Sequence, residues 1–161
     1  MDVRDALKGQ YHAALRMLRE CVQVCPDEMW TGGKFPRYFW RIAYHAAFYG
    51  DLYMSQGEGT FTPWHKHNWE FCVLWEEKAV EVEPLTKADL CEYIDDIRSR
   101  LDATIDGLDL DTSDPGFPWY KNINKLEHEL LSIRHIQGHV GQLSERLFEA
   151  GIDTSWIARR A

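Results

Sequence analysis

His135 and His139 are the residues in this sequence whose spacing most directly invites chemistry. Two histidines four apart on a helix stand one turn apart on one side, so two ring nitrogens can reach one metal ion. A third donor must come from another part of the chain. His45 lies in a segment that is apolar almost all round: Phe39, Trp40, Ile42, Ala43, Tyr44, Ala46, Ala47, Phe48 and Tyr49. A helix of that kind is covered on most of its surface, and an imidazole inside it has to find a partner. A divalent ion shared with His135 and His139 would be one. Three neutral imidazoles leave coordination positions open, which is the layout of a catalytic metal site. The plainer alternative is a hydrogen-bonded core histidine on one helix and two solvent-facing histidines on another.

Other residues are weighed against this set. His128 shares the stripe of His135 but sits about 10 Å along the helix axis, too far for the same ion. It reads as a surface histidine, with a place in the pocket wall or an acid–base role as the alternative. Arg41, one turn before His45, could bind a substrate carboxylate, though a surface salt bridge is the simpler expectation. His65 and His67 fall on one side of an extended chain and form a second, weaker pair. Cys21 and Cys25 lack the redox-active spacing and read as small core residues. Asp95, Asp96, Asp102 and Asp106 read as a solvated helix face. No phosphate-binding glycine loop or nucleophile elbow is present.

Four helices must position these side chains. The first covers residues 2–25 and stops at Pro26. The second is expected to open at Pro36, run to about Gln56 and stop in the Gly57–Gly59 region. Thr86 resembles the start of a capping box with Asp89, and the third helix then ends at Gly107. Asn124 caps the fourth, with Glu127 favouring its N-terminus, and Gly151 closes it. On that last helix Leu130, Ile133, Val140 and Leu147 fall within roughly 60° of Leu126, with Ile136 and Leu143 extending that sector, so it is expected to be the core face. Glu127, Arg134, Gly141 and Glu145 mark the solvent face. The stretch from Gly57 to Leu85 is too long for a plain loop. The expected architecture is all-α, a four-helix bundle with one long crossover between helices 2 and 3, in a single domain over residues 1–161.

Composition limits the partners. The chain has 161 residues and a formal net charge of −8. That balance argues against nucleic acid and against an anionic membrane. The N-terminal MDVRDALKGQ has no apolar run of a signal peptide, and no stretch is long and apolar enough to span a bilayer. With only four cysteines, reduced thiols in a cytoplasm are expected. The 21 aromatic residues are many for one small core, so some are expected to wall a pocket and some to line a dimer face.

The segment HIQGHVGQL, His135 to Leu143, resembles the H-x-x-x-H-x-G-Q-L signature of the DinB/YfiT-like superfamily of metal-dependent enzymes. HAAFYGDLY around His45 is similar to that family's second helix, and Thr86-Lys-Ala-Asp to the usual opening of its third. The resemblance spans nearly the whole chain. It implies His45, His135 and His139 as ligands of a divalent metal, nickel or zinc. It also implies a homodimer, a small-molecule substrate and a low-molecular-weight thiol in a transferase or isomerase reaction on an electrophile. Gly141 is then expected to allow close helix approach, and Gln142 to support the ligands. Arg41, Tyr49, His128 and Trp119 are expected around the pocket, walled by Phe61, Trp64, Trp69, Phe117 and Tyr120. Alternatives are a non-catalytic metal-binding stress-response module and a metal-dependent hydrolase.

Overall fold

The computed structural model describes residues 3–159. It contains helices α1 (Val3–Val24), α2 (Asp27–Trp30), α3 (Phe39–Tyr53), α4 (Lys87–Asp106) and α5 (Lys125–Glu149). No strand occurs among the described residues, so the fold is all-α. None of these helices is long and apolar enough to cross a membrane. α5 packs against both α3 and α1, and α1 packs against α4.

The caps explain where α4 and α5 begin. Thr86 Oγ1 accepts from the Asp89 backbone N–H at 3.1 Å and donates to the Asp89 carboxylate at 2.7 Å. Asn124 Oδ1 accepts from the Glu127 N–H at 2.8 Å. Each bond satisfies a donor that has no partner within its helix. Gly151, with φ +79°, terminates α5 in the left-handed conformation.

α3 differs from expectation at both ends. Pro36 does not open it. Residues 34–37 form a turn instead, with Arg37 N–H donating to Lys34 O at 2.7 Å, and Phe39 N–H bonds back to Gly32 O at 3.1 Å. The helix starts only after that loop has closed. It stops at Tyr53, short of Gln56, where the last carbonyl of α3 and one just beyond it are bonded by a side chain from α5. Lys125 Nζ donates to Tyr53 O at 3.0 Å and to Ser55 O at 2.5 Å. A cation at a helix C-terminus also meets the negative end of the helix dipole.

α3 is the central element: of its 15 residues only Tyr49 is not buried. Its own chain covers it, with α5 on one side and the 57–85 crossover on another. Two short 3₁₀ turns, Glu58–Thr60 and Trp69–Cys72, are the only regular structure in that crossover. Arg41 pins it down. The Arg41 guanidinium is fully buried, lies over the Trp40 ring and donates to Val80 O at 2.7 Å. Neither expectation for Arg41 holds: it is a structural clamp on backbone carbonyls. Because α3 is enclosed within the monomer, its apolar surface needs no dimer face to explain it. Asp51 joins it to α4 through a bidentate pair with Arg100 at 2.7 and 2.8 Å.

Candidate metal centre

His45 and His135 face each other because α3 and α5 approach closely one turn away. A Cβ added to Gly50 would lie 2.7 Å from Ile136 Cδ1. Gly50 therefore performs the close approach that was expected of Gly141, which is exposed with no atom within 4 Å of an added Cβ.

The three histidines converge through the same ring atom. His135 Nε2 lies 3.1 Å from His45 Nε2 and 3.1 Å from His139 Nε2. One donor atom from each of the three lies within 4.8 Å of the others. Metal–nitrogen bonds of 2.0–2.1 Å place tetrahedral ligands about 3.3 Å apart and right-angle ligands about 2.9 Å apart. The two short separations fall between those limits.

The outer nitrogens decide what the inner ones can do. His45 Nδ1 is 2.7 Å from Cys72 O, so Nδ1 carries the proton and Nε2 a lone pair. His139 Nδ1 is 2.9 Å from Gln142 Oε1, and Arg37 Nη2 donates to the same oxygen at 3.3 Å. A guanidinium can only donate, so the amide presents its oxygen here and His139 Nδ1 must also be a donor. Two lone pairs thus point at His135 Nε2, and a proton there can satisfy only one. His135 Nδ1 is itself buried without a hydrogen-bond partner among the described residues. A cation at the common point satisfies all three inner nitrogens, so the group can hold a metal ion.

Electrostatics favour the same state. Burial pushes His45 down to about 3, with His139 and His135 adding to the effect. Burial and His139 push His135 down to about 4. Burial lowers His139 as well. All three rings are neutral near pH 7, the form that binds metal. The neighbouring Cys72 thiol is pushed up to about 11 by burial and is not a thiolate nucleophile. What Cys72 supplies is its carbonyl.

Beside the histidines lies a cavity of about 580 Å³, with His45 and His135 in its wall. Tyr49, Tyr53 and Tyr120 stand near them, and Phe61, Trp69 and Trp119 also line it. Tyr49 and Trp119 are thus in the cavity wall, and Gln142 is bonded to His139 rather than exposed to the cavity. Trp64 and Phe117 are buried and do not line the cavity. The additional lining residues Leu52, Tyr53, Glu58, Pro63 and Trp75 were not anticipated; Trp75 had a signal, its place in an aromatic-rich crossover.

His128 corrects its expectation. It is fully buried, stacked on Phe117 at 4.8 Å and edge-on to Tyr53 and Tyr120, behind the cavity wall. The His65/His67 pair is split. His67 bonds to the Tyr44 hydroxyl at 2.6 Å and stacks on Phe48, while His65 is exposed.

No protein-family model matches the chain, nor does any curated protein or solved structure compared with it. The functional argument therefore rests on the site.

Proposed function

We propose that this protein is a divalent-metal-dependent enzyme of the DinB/YfiT-like kind, with α1, α3, α4 and α5 as its four-helix bundle and residues 57–85 as the crossover. The observation that carries this reading is the convergence of three Nε2 atoms, where one proton on His135 cannot meet the lone pairs of both His45 and His139. His45, His135 and His139 would hold the ion, nickel or zinc. With three neutral ligands an ion held there would keep its full charge and would lower the pKa of a thiol or water bound beside it.

The chain's own residues do the rest. Cys72 O and Gln142 hold His45 and His139 in the metal-binding tautomer, a role that outer partners of metal ligands commonly fill. The aromatic walls exclude water and give an apolar reactant a place beside the ligands. Burial raises the Tyr49 hydroxyl to about 12, so it faces the cavity as a neutral hydrogen-bond donor. An open cavity next to the ligands supports an enzyme over a metal-plugged module. The reaction class is transfer of a low-molecular-weight thiol to a small electrophile.

Purification without a nickel column, followed by metal analysis, tests the first part. About one equivalent of metal is expected in the native protein and none in His135→Ala at an unchanged fold. Two metal-free, equally stable proteins would show that no site exists. The thiol claim is separate: a panel of cellular thiols with an aryl halide electrophile should give an adduct only in the metal-loaded protein.

A further inference from the structure

The tryptophans divide sharply by surroundings. Trp30, Trp40 and Trp64 are buried in the core. Trp69, Trp75 and Trp119 are 60%, 41% and 48% exposed, and all three line the cavity beside His45 and His135. Large aromatic side chains left half in water around one concavity are not needed for the core, and such patches mark binding sites. About 580 Å³ is within the range of small-molecule sites, which are mostly apolar with a few placed polar groups.

The charges of the lining are as informative as its rings. Glu58 is its one carboxylate, and no lysine or arginine belongs to it. A ligand carboxylate or phosphate in this cavity would find tyrosine hydroxyls but no cationic side chain in the lining. It would also face the Glu58 charge, with poor compensation for its lost hydration. A flat uncharged body would meet aromatic surface on several sides and lose little on leaving water.

We infer that the side chains of this cavity favour an apolar, uncharged, aromatic-bodied ligand over an anionic one of the same shape. In a thiol transfer the occupant is then the electrophile, while a carboxylate-bearing thiol keeps its anionic groups outside these walls. Calling the occupant a reactant rests on the proposed function; the binding preference does not.

The test uses full-length protein stripped of metal by chelation, with 2-naphthylmethanol and 2-naphthoate as matched neutral and anionic probes. Indole N–H signals, assigned by single Trp→Phe substitutions, report the binding. The alcohol should shift Trp69, Trp75 and Trp119 and leave Trp156 unmoved; Trp156 is 78% exposed and outside the cavity lining. The naphthoate should bind at least tenfold more weakly. Glu58→Gln should narrow that gap, and Trp119→Ala should weaken the alcohol severalfold; both residues are exposed, so the fold should tolerate either change. Equal or tighter binding of the naphthoate, or a Trp156 shift that tracks the rim signals, overturns the inference. Because the metal is absent throughout, failure of the metal assignment leaves this result readable, and failure here leaves the metal analysis intact.

Discussion

The first half of α5 turns Lys125, His128, Glu129 and Ser132 into the protein interior; the second half turns in Ile136, Val140, Leu143 and Leu147. The same face is buried throughout, yet its chemistry changes from polar to apolar at one point, next to His135. Within the polar half, Lys125 and Glu129 form a network. Lys125 Nζ, already bound to the carbonyls of Tyr53 and Ser55, lies 2.9 Å from Glu129 Oε1, and Glu129 Oε2 accepts from the Tyr11 hydroxyl at 2.6 Å. The apolar half packs by shape alone. At Lys125 and Glu129 burial therefore follows from what the side chain is paired with, not from its hydrophobicity.

This contrast predicts unequal responses to truncation. Lys125→Met should be the most damaging single change, destabilising by about 3–5 kcal/mol, because it strands a buried Glu129 charge and the carbonyls of Tyr53 and Ser55. Urea unfolding measures it. The double variant Lys125→Met/Glu129→Leu should recover part of the loss, since a buried pair replaced whole is far less harmful than a pair broken. If the double variant is as unstable as the sum of its parts, the network reading of this half is wrong.

Leu143→Ala examines the other half. It is fully buried, and its truncation should cost about 3 kcal/mol by lost transfer energy and a residual cavity. No second substitution that removes a charge should compensate it. Gly50→Ala lies at the junction of the two halves. The new methyl meets Ile136 Cδ1, the far end of a flexible side chain, so about 1–3 kcal/mol is expected. Ile136→Val in the same chain should relieve much of it. An equally large loss with Val at position 136 would mean that the clash is not the cause.

The two halves also separate what the sequence made legible from what it hid. The caps at Thr86 and Asn124, the turn at Gly151 and the exposed face of Glu127, Arg134, Gly141 and Glu145 were readable because each rests on local chemistry. The core face of the second half was readable, through Ile136, Val140, Leu143 and Leu147, all of them buried. The first half was misread: Leu130 is 56% exposed, and Leu126 and Ile133 are only partly buried. The buried arc is centred roughly 90° round the helix from Leu126, toward the histidines. A hydrophobicity pattern treats Lys125 and Glu129 as surface because it cannot see Tyr11 or the end of α3 across the fold. His128 was misplaced for the same reason. The three-histidine group was legible from spacing and from the apolar setting of His45. Its supporting Cys72 carbonyl was not, since any residue carries one.

The pH response follows from the junction itself. In the metal-free protein His45 and His135 have pKa values of about 3 and about 4, against 6.5 in an unfolded chain. Above pH 6.5 both states are deprotonated and these groups contribute no slope. Below it the unfolded chain takes up protons that the folded site refuses, so stability falls as pH drops toward about 4. The loss continues, from His45 alone, toward about 3. A His45→Gln/His135→Gln variant should show a shallower fall between pH 6.5 and 4. An unchanged slope would place the responsible groups elsewhere, with the buried polar half of α5 the first place to look.

Gln142 offers the smallest and most selective change. It is exposed, at the apolar end of the junction, and its side-chain oxygen is the acceptor that fixes His139 Nδ1–H. Gln142→Ala removes no core contact, so urea unfolding of the metal-free protein should hardly move. Metal affinity should fall by about 10–100-fold, the usual consequence of losing a group that orients a ligand histidine. Gln142→Glu keeps an acceptor at the same reach and should retain most of the affinity, whereas Gln142→Leu keeps the bulk but not the acceptor and should behave like alanine. Competition against a chromophoric chelator distinguishes them. If leucine binds metal as well as glutamine does, the tautomer of His139 is set by something other than this bond, and the argument for three converging lone pairs loses one of its two anchors.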